Sequence, residues 1–155
     1  MRPTKSLGIV LLCLTAILPG MTLAATAPEV QAIRDDAFRA ASQMMMFVAL
    51  DKAKERRASA DKSMTSIDGA VAGINDPNLS AAWQKTRATL AVSPYDASTV
   101  NQRVLYAWEN EIMAFTSALD NQMPPNIDRN RKDLYDLVAR MQVMVLIYLR
   151  NSTDP

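Results

Sequence analysis

The chain contains two apolar runs that begin alike, QMMMFVAL at residues 43–50 and QVMVLIYL at residues 142–149. A helix at a protein surface normally carries one apolar stripe with polar residues between. Seven consecutive apolar residues instead cover every side of a helix. We therefore expect both runs to be buried on two faces, one against the chain's own core and one against a second layer, a partner or a ligand pocket.

The sequence around these runs predicts an all-α protein, because strand-like alternation is absent and helix formers dominate between clear breaks. Thr26 and Glu29 have the spacing of a capping box at a helix start. An apolar stripe with three- and four-residue steps follows, fades through the charged section 51–63 and resumes. We predict one long helix over residues 28–74, with a kink in the charged section as the alternative, ended by the turn Asn75-Asp76-Pro77.

Three more helices are predicted over residues 79–92, 97–122 and 127–151, the last capped by Asn126 or Asp128. Trp83 and Trp108 lie on the apolar faces of the second and third of the four helices, where they are expected to anchor the core. Short loops between four helices favour an antiparallel up-down-up-down four-helix bundle with a long first helix.

The amino terminus has the pattern of a secretory signal peptide. Arg2 and Lys5 precede the apolar segment Leu7–Leu18, and Thr22-Leu23-Ala24 supplies the small residues of a cleavage site. A retained membrane anchor is the alternative, but it needs about 18 or more apolar residues. We predict a signal peptide at residues 1–24, a single four-helix-bundle domain at 25–155, and a periplasmic or secreted location.

Composition argues against most enzyme classes. The chain has no histidine, and its one cysteine, Cys13, lies in the predicted signal peptide. No imidazole base, imidazole zinc site, thiolate nucleophile or cysteine-held cluster is then available to the mature chain. We expect no catalysis, no cofactor and no metal site. The consecutive residues Met44, Met45 and Met46 suggest Cu(I) as an alternative, but on a helix they point about 100° apart and are better suited to filling a core.

The charge balance gives no reason to expect a nucleic-acid partner. Of 17 basic residues, Arg2 and Lys5 belong to the predicted signal peptide, which leaves 15 against 16 acidic residues. Binding to nucleic acid depends on an excess of positive charge that releases counterions. We therefore predict that nucleic acid is not a partner.

Four polar residues near the apolar runs form a candidate ligand site. Arg39 lies one helical turn before Gln43, and Arg140 and Gln142 immediately precede the second run. Guanidinium groups in a dry seam suit a small anion or a carboxylate. The alternative for Arg140 is that it reaches solvent along its own methylene groups.

Other residues of the two runs form a candidate partner interface, which could serve a homodimer or a different protein. An adaptable, methionine-rich apolar face suits such contacts. The interface residues predicted from the sequence are Met45, Met46, Phe47, Met144 and Tyr148.

The same regions resemble the PilJ-type, or NarX-like, periplasmic sensor domain. Ser42-Gln43-Met44-Met45 is similar to the S-Q-R-M part of that family's helix-one motif, with Arg39 at the place of a motif arginine, and Leu137–Gln142 is similar to the run leading into a second copy. Residues 56–74 and 82–90 have a residue pattern similar to that of the family, so the likeness covers most of the mature chain. It implies a soluble, stand-alone sensor module that binds a ligand near these motifs and signals through a membrane sensor or receptor. The alternative is a structural or interaction protein that uses its apolar helix faces without a small ligand.

Overall fold

A computed structural model describes residues 25–48, 54–91 and 102–152. Within these ranges the chain forms five helices, which are α1 (Ala27–Met46), α2 (Lys54–Ile74), α3 (Pro77–Ala91), α4 (Gln102–Asp120) and α5 (Arg129–Asn151). The described ranges contain no β-strand, so the all-α prediction is confirmed. The predicted signal peptide and the predicted break at residues 93–96 lie outside the described residues.

The prediction of one helix over residues 28–74 is wrong, because that stretch holds two helices packed against each other. Arg56 Nη1 lies 3.4 Å from Met46 Sδ, and Ser63 Oγ donates to Asp36 Oδ1 at 3.4 Å. A continuous α-helix would hold residues 36 and 63 about 40 Å apart. The contacts therefore step along α1 and α2 in opposite directions, and the two helices form a hairpin.

This hairpin buries an apolar stripe on each helix, which neither helix could cover alone. Small residues allow a close approach of two helices, and three alanines of α1 have no exposed surface. The buried stripe of α1 includes Val30, Ile33, Ala37, Ala40, Ala41 and Met44. The buried stripe of α2 consists of Ala60, Met64, Ile67 and Val71.

The two tryptophans lie in the core, as predicted. Trp108 of α4 is fully buried, and its indole N–H donates to the backbone oxygen of Thr89 on α3 at 3.0 Å. Trp83 of α3 packs on Phe115 of α4 with ring centroids 5.0 Å apart and donates to Asp68 Oδ1 of α2 at 2.7 Å. Both indoles thus combine a buried ring with a satisfied donor, the arrangement that makes tryptophan an effective core anchor.

The last helix, α5, packs against α1 and α4 but buries little of its own surface. Leu146 is its one buried residue, whereas Met144, Val145 and Tyr148 are exposed. The second apolar run is therefore covered by the chain's own core on one face only, and burial of its other face against a partner or ligand stays a prediction. The first run differs, since Met44, Met45 and Phe47 are buried, while residues 49 and 50 lie outside the described ranges.

Capping residues fix where the helices begin and end. The predicted capping box is confirmed: Thr26 Oγ1 accepts from the Glu29 N–H at 3.4 Å, and Glu29 Oε2 accepts from the Thr26 N–H at 2.8 Å. Asn75 has a φ of 56°, a left-handed conformation that asparagine tolerates well, and ends α2. Asp76 Oδ1 then accepts from the Leu79 N–H at 2.7 Å and starts α3. Of the two candidates for α5, Asp128 is the N-cap.

Replacing Glu29 with glutamine should reduce stability at neutral pH, and this reduction should disappear in acid. The pKa of Glu29 lies below its usual value of 4.5 because its carboxylate accepts hydrogen bonds from the Thr26 backbone N–H and hydroxyl. A carboxyl whose pKa is lower in the folded state stabilises the fold above its unfolded-state pKa, and this contribution is lost as the pH falls through the folded-state value. Thermal unfolding of both proteins across the acid range measures the difference.

Glu55→Gln provides the matched control, since it removes the same charge from the first turn of α2. It should show a smaller pH-dependent difference from the wild type. An equal dependence in the two variants would trace the effect to net charge or the helix dipole and not to the capping box.

Candidate functional site

A network of hydrogen bonds, here called the polar seam, joins α1 to α4 and α5. Arg34 of α1 is 2 % exposed, donates from Nη1 to Gln31 Oε1 at 3.1 Å and forms an ion pair with Asp120 at the end of α4. Asp35 Oδ1 accepts from Gln31 Nε2 at 2.8 Å and from Gln142 Nε2 of α5 at 2.7 Å. These five residues therefore tie three helices together at one place.

One atom of the polar seam lacks a partner. Gln142 donates its amide N–H to Asp35, but its Oε1 is buried and has no hydrogen-bond partner among the described residues. A buried acceptor without a donor is destabilising. The position calls for an N–H or O–H donor, and the carboxylate or anion predicted from the sequence would bring further acceptors.

The structure brings together two of the four predicted ligand residues. Arg39 and Gln142 line a cleft of about 380 Å³ between α1 and α5. Arg140 lines a separate cleft of about 500 Å³, together with Arg34 of the polar seam. Gln43 is half-buried on α1 and lines neither of these two clefts.

Neither cleft presents an excess of positive charge. Arg39 pairs with Asp36 at 3.1 Å, and Arg34 pairs with Asp120. Arg140 shares its cleft with Asp120 and Asp136. An anion would have to compete with carboxylates already beside these guanidinium groups, which weakens the electrostatic case for the predicted anion site.

Sequence reasoning missed four members of the polar seam, which are Gln31, Arg34, Asp35 and Asp120. For Arg34 a signal exists, since it lies four residues after Val30 and four before Phe38, both of which are buried. This spacing places it beside the apolar stripe of α1. Asp120 carries no comparable signal, because its role depends on the distance between α4 and α1 in the folded chain.

Among the described residues, most of the exposed large apolar side chains lie on α5. Six of its large apolar side chains are between 50 % and 71 % exposed. Five of them follow a 3-4-3-4 spacing, the period of a coiled-coil seam. We call this set the α5 stripe, and it consists of Leu134, Leu137, Met141, Met144, Val145 and Tyr148.

The predicted partner interface is divided between the core and the surface. Met45 and Phe47 are buried inside the chain, and Met46 is half-buried with its sulfur against Arg56. Met144 and Tyr148 belong to the α5 stripe and are exposed. Of the five predicted interface residues, only these last two offer a large surface to a partner.

Over the residues that the structure describes, the chain is an all-α protein of five helices with an apolar stripe along α5. No helix within the described ranges has the length and apolar character needed to cross a bilayer. Comparison of the chain with protein-family models, curated proteins and solved structures gave no match. The resemblance to PilJ-type sensor domains therefore stays a prediction.

Proposed function

We propose that this protein is an exported, non-enzymatic binding module whose contact surface is the α5 stripe. The observation that carries the proposal is the contrast between α5 and the helices it packs on. The main apolar residues of α1, such as Val30 and Met44, have no exposed surface, whereas all six residues of the α5 stripe are at least half exposed. A contiguous apolar patch of this kind marks an interaction site.

The arrangement of the other helices supports a scaffold role. Interhelical contacts from Trp83 to Phe115 and from Trp108 to Thr89 run in opposite directions along α3 and α4. The hairpin of α1 and α2 has the same antiparallel sense. In this proposal α1 to α4 form an up-and-down bundle, and α5 lies along α1 and α4 as a fifth helix that presents the stripe.

Binding without catalysis agrees with the chemistry of the side chains. The mature chain expected from the sequence has neither histidine nor cysteine. The carboxylates of the polar seam are engaged in structural contacts, Asp35 with two glutamine amides and Asp120 with Arg34. These contacts hold helices together, which leaves recognition as the better-supported role.

A partner protein fits the surface better than a small anion does. The arginines of the two clefts lie beside carboxylates, and the unpartnered Gln142 Oε1 requires a donor. The α5 stripe, in contrast, loses unfavourable contact with water when another apolar surface covers it, at about 25 cal/mol per Å² buried. In the sensor-like version of the proposal, that partner is a membrane sensor or receptor.

Site-specific photo-crosslinking tests the proposed function. A benzophenone amino acid placed at position 141, in the middle of the α5 stripe, should give a discrete adduct in cells that make the protein. The same amino acid at position 84, an exposed site on α3, serves as the control and should give none. Equal adducts from both positions, or no adduct from position 141, would contradict a contact surface on α5.

A further inference from the structure

We infer that the α5 stripe is covered by the α5 stripe of a second copy of the chain, with the two α5 helices antiparallel. The inference rests on the proposed function, because it names the partner of the same surface. Three features of α5 support it, namely the spacing of its apolar residues, the exposed area and the distribution of charge.

The spacing suits a second helix with the same pattern. Leu134, Leu137, Met141, Met144 and Tyr148 are separated by steps of three, four, three and four residues. Two helices with this period can interlock their side chains along a continuous seam. An isologous pair presents the same patch from both copies, so a second α5 supplies the required spacing without any further partner.

The exposed area is sufficient for a dimer. Six side chains of roughly 200 Å² each, with exposed fractions between 50 % and 71 %, present on the order of 700 Å². A standard interface buries about 800 Å² on each partner. The α5 stripe therefore supplies most of the area that a specific dimer needs.

The charge distribution selects the antiparallel arrangement. Most charged residues of α5 and its N-cap lie toward the amino-terminal end, where three basic and three acidic side chains are interspersed, namely Asp128, Arg129, Arg131, Lys132, Asp133 and Asp136. Residues 141–149, in contrast, contain no charged side chain. Arg150, which follows them, pairs with Glu109 of its own chain. A parallel pair would set each of these charges beside the identical charge of the other copy. An antiparallel pair centred on Met141 separates the two charged ends by about 30 Å and lays each beside the uncharged half of the other copy.

The antiparallel pair also predicts which residues meet. Met141 lies midway between Leu134 and Tyr148 in the sequence, so it falls nearest the two-fold axis. Leu134 of one copy then lies opposite Tyr148 of the other. The two Leu134 residues lie at opposite ends of the interface between the two α5 helices.

Light scattering on the purified protein measures the association. The wild type should have twice the mass of one chain at micromolar concentration. Met141→Glu should weaken the dimer about 100-fold or more, since it buries two like charges near the axis. The matched control Gln84→Glu adds the same charge at an exposed site on α3 and should remain dimeric. Circular dichroism should give the same helical signal for all three proteins, because residues 84 and 141 are both exposed.

Disulfide formation tests the orientation, in a background with Cys13→Ser. Leu134→Cys alone should give no covalent dimer, whereas a mixture of Leu134→Cys and Tyr148→Cys should give a mixed one, since a disulfide requires Cα atoms within about 7 Å. Efficient dimers from Leu134→Cys alone would overturn the antiparallel arrangement. A wild type that stays monomeric, or a dimer unaffected by Met141→Glu, would overturn the inference itself.

Failure of the dimer remains distinguishable from failure of the proposed function. A monomer whose benzophenone at position 141 forms an adduct with a different protein overturns the second copy and retains the binding module. The wild type could also be a monomer that binds anionic lipid vesicles, with binding lost in Met141→Glu. That result would overturn the proposed dimer and assign the α5 stripe to a membrane surface. An adduct with the mass of two chains supports both.

Discussion

Replacing Trp108 with alanine should lower the free energy of unfolding by about 3–5 kcal/mol, the usual cost of truncating a large aromatic residue in a core. Trp108 has no exposed surface and lies with the fully buried Ile112 and Phe115 on α4. The truncation leaves a cavity and also removes the hydrogen bond from the indole N–H to Thr89 on α3. Urea unfolding followed by circular dichroism measures the loss.

Two further variants separate the causes of this loss. Trp108→Phe keeps an aromatic ring but leaves the Thr89 carbonyl without its donor, so it should lose roughly 1–3 kcal/mol. Tyr106→Ala removes an aromatic side chain two residues earlier that is 45 % exposed and whose ring lies 4.2 Å from the Arg150 guanidinium carbon. It should cost about 1 kcal/mol. A larger loss in Tyr106→Ala than in Trp108→Ala would contradict the assignment of Trp108 to the core.

The sequence predicted best what local chemistry decides. The capping box of Thr26 and Glu29 depends on residues three positions apart, and the turn at Asn75 depends on a residue that tolerates a positive φ. The burial of Trp83 and Trp108 follows from the helical spacing of apolar residues around each. All of these features are set within one or two turns of helix, so the linear pattern contains the information.

The division between α1 and α2 could not be found in the same way. Residues 49–53 contain neither glycine nor proline, the residues that most often indicate a break. The charged section 51–63 only interrupts the apolar stripe, which a continuous helix with a polar section accommodates. The continuous helix is ruled out by contacts between residues far apart in sequence, such as Asp36 and Ser63. Local helix propensity contains no information about such contacts.

The burial of the two apolar runs also depends on packing that the sequence pattern does not determine. Both predict helices with apolar residues on every face, yet Met45 is fully buried and Met144 is 68 % exposed. Hydrophobicity identifies a helix face that is more stable when it is shielded from water. Whether another helix of the same chain shields that face depends on which helices are neighbours in the fold. On α1 that cover comes from α2, whereas on α5 it is supplied by no described residue. The polar seam was missed for a related reason, since Arg34 and Asp120 meet only in the folded chain.

Replacing Asp120 with alanine should lower the free energy of unfolding by about 1–3 kcal/mol, more than an exposed ion pair contributes and less than breaking a fully buried one costs. The side chain of Arg34 is 3 % exposed, whereas that of Asp120 is 60 % exposed. Removing Asp120 therefore leaves the buried Arg34 guanidinium with Gln31 as its remaining side-chain acceptor among the described hydrogen bonds. Arg34→Met removes the charge instead and keeps much of the volume, so we expect it to cost less than Asp120→Ala. Equilibrium unfolding in urea measures both.

The double variant gives the decisive comparison. Once Arg34 is methionine, removing Asp120 leaves no buried charge, so the double variant should be about as stable as Arg34→Met alone and show a coupling of roughly 1–3 kcal/mol. Lys85→Ala is the matched control, because Lys85 also forms an ion pair between two helices, with Glu111 at 2.8 Å, but its side chain is 72 % exposed. It should cost less than about 1 kcal/mol. The double variant could instead lose the sum of the two single-variant losses in free energy of unfolding. That result would mean that packing and Gln31 stabilise Arg34, and that the Asp120 carboxylate contributes through other contacts.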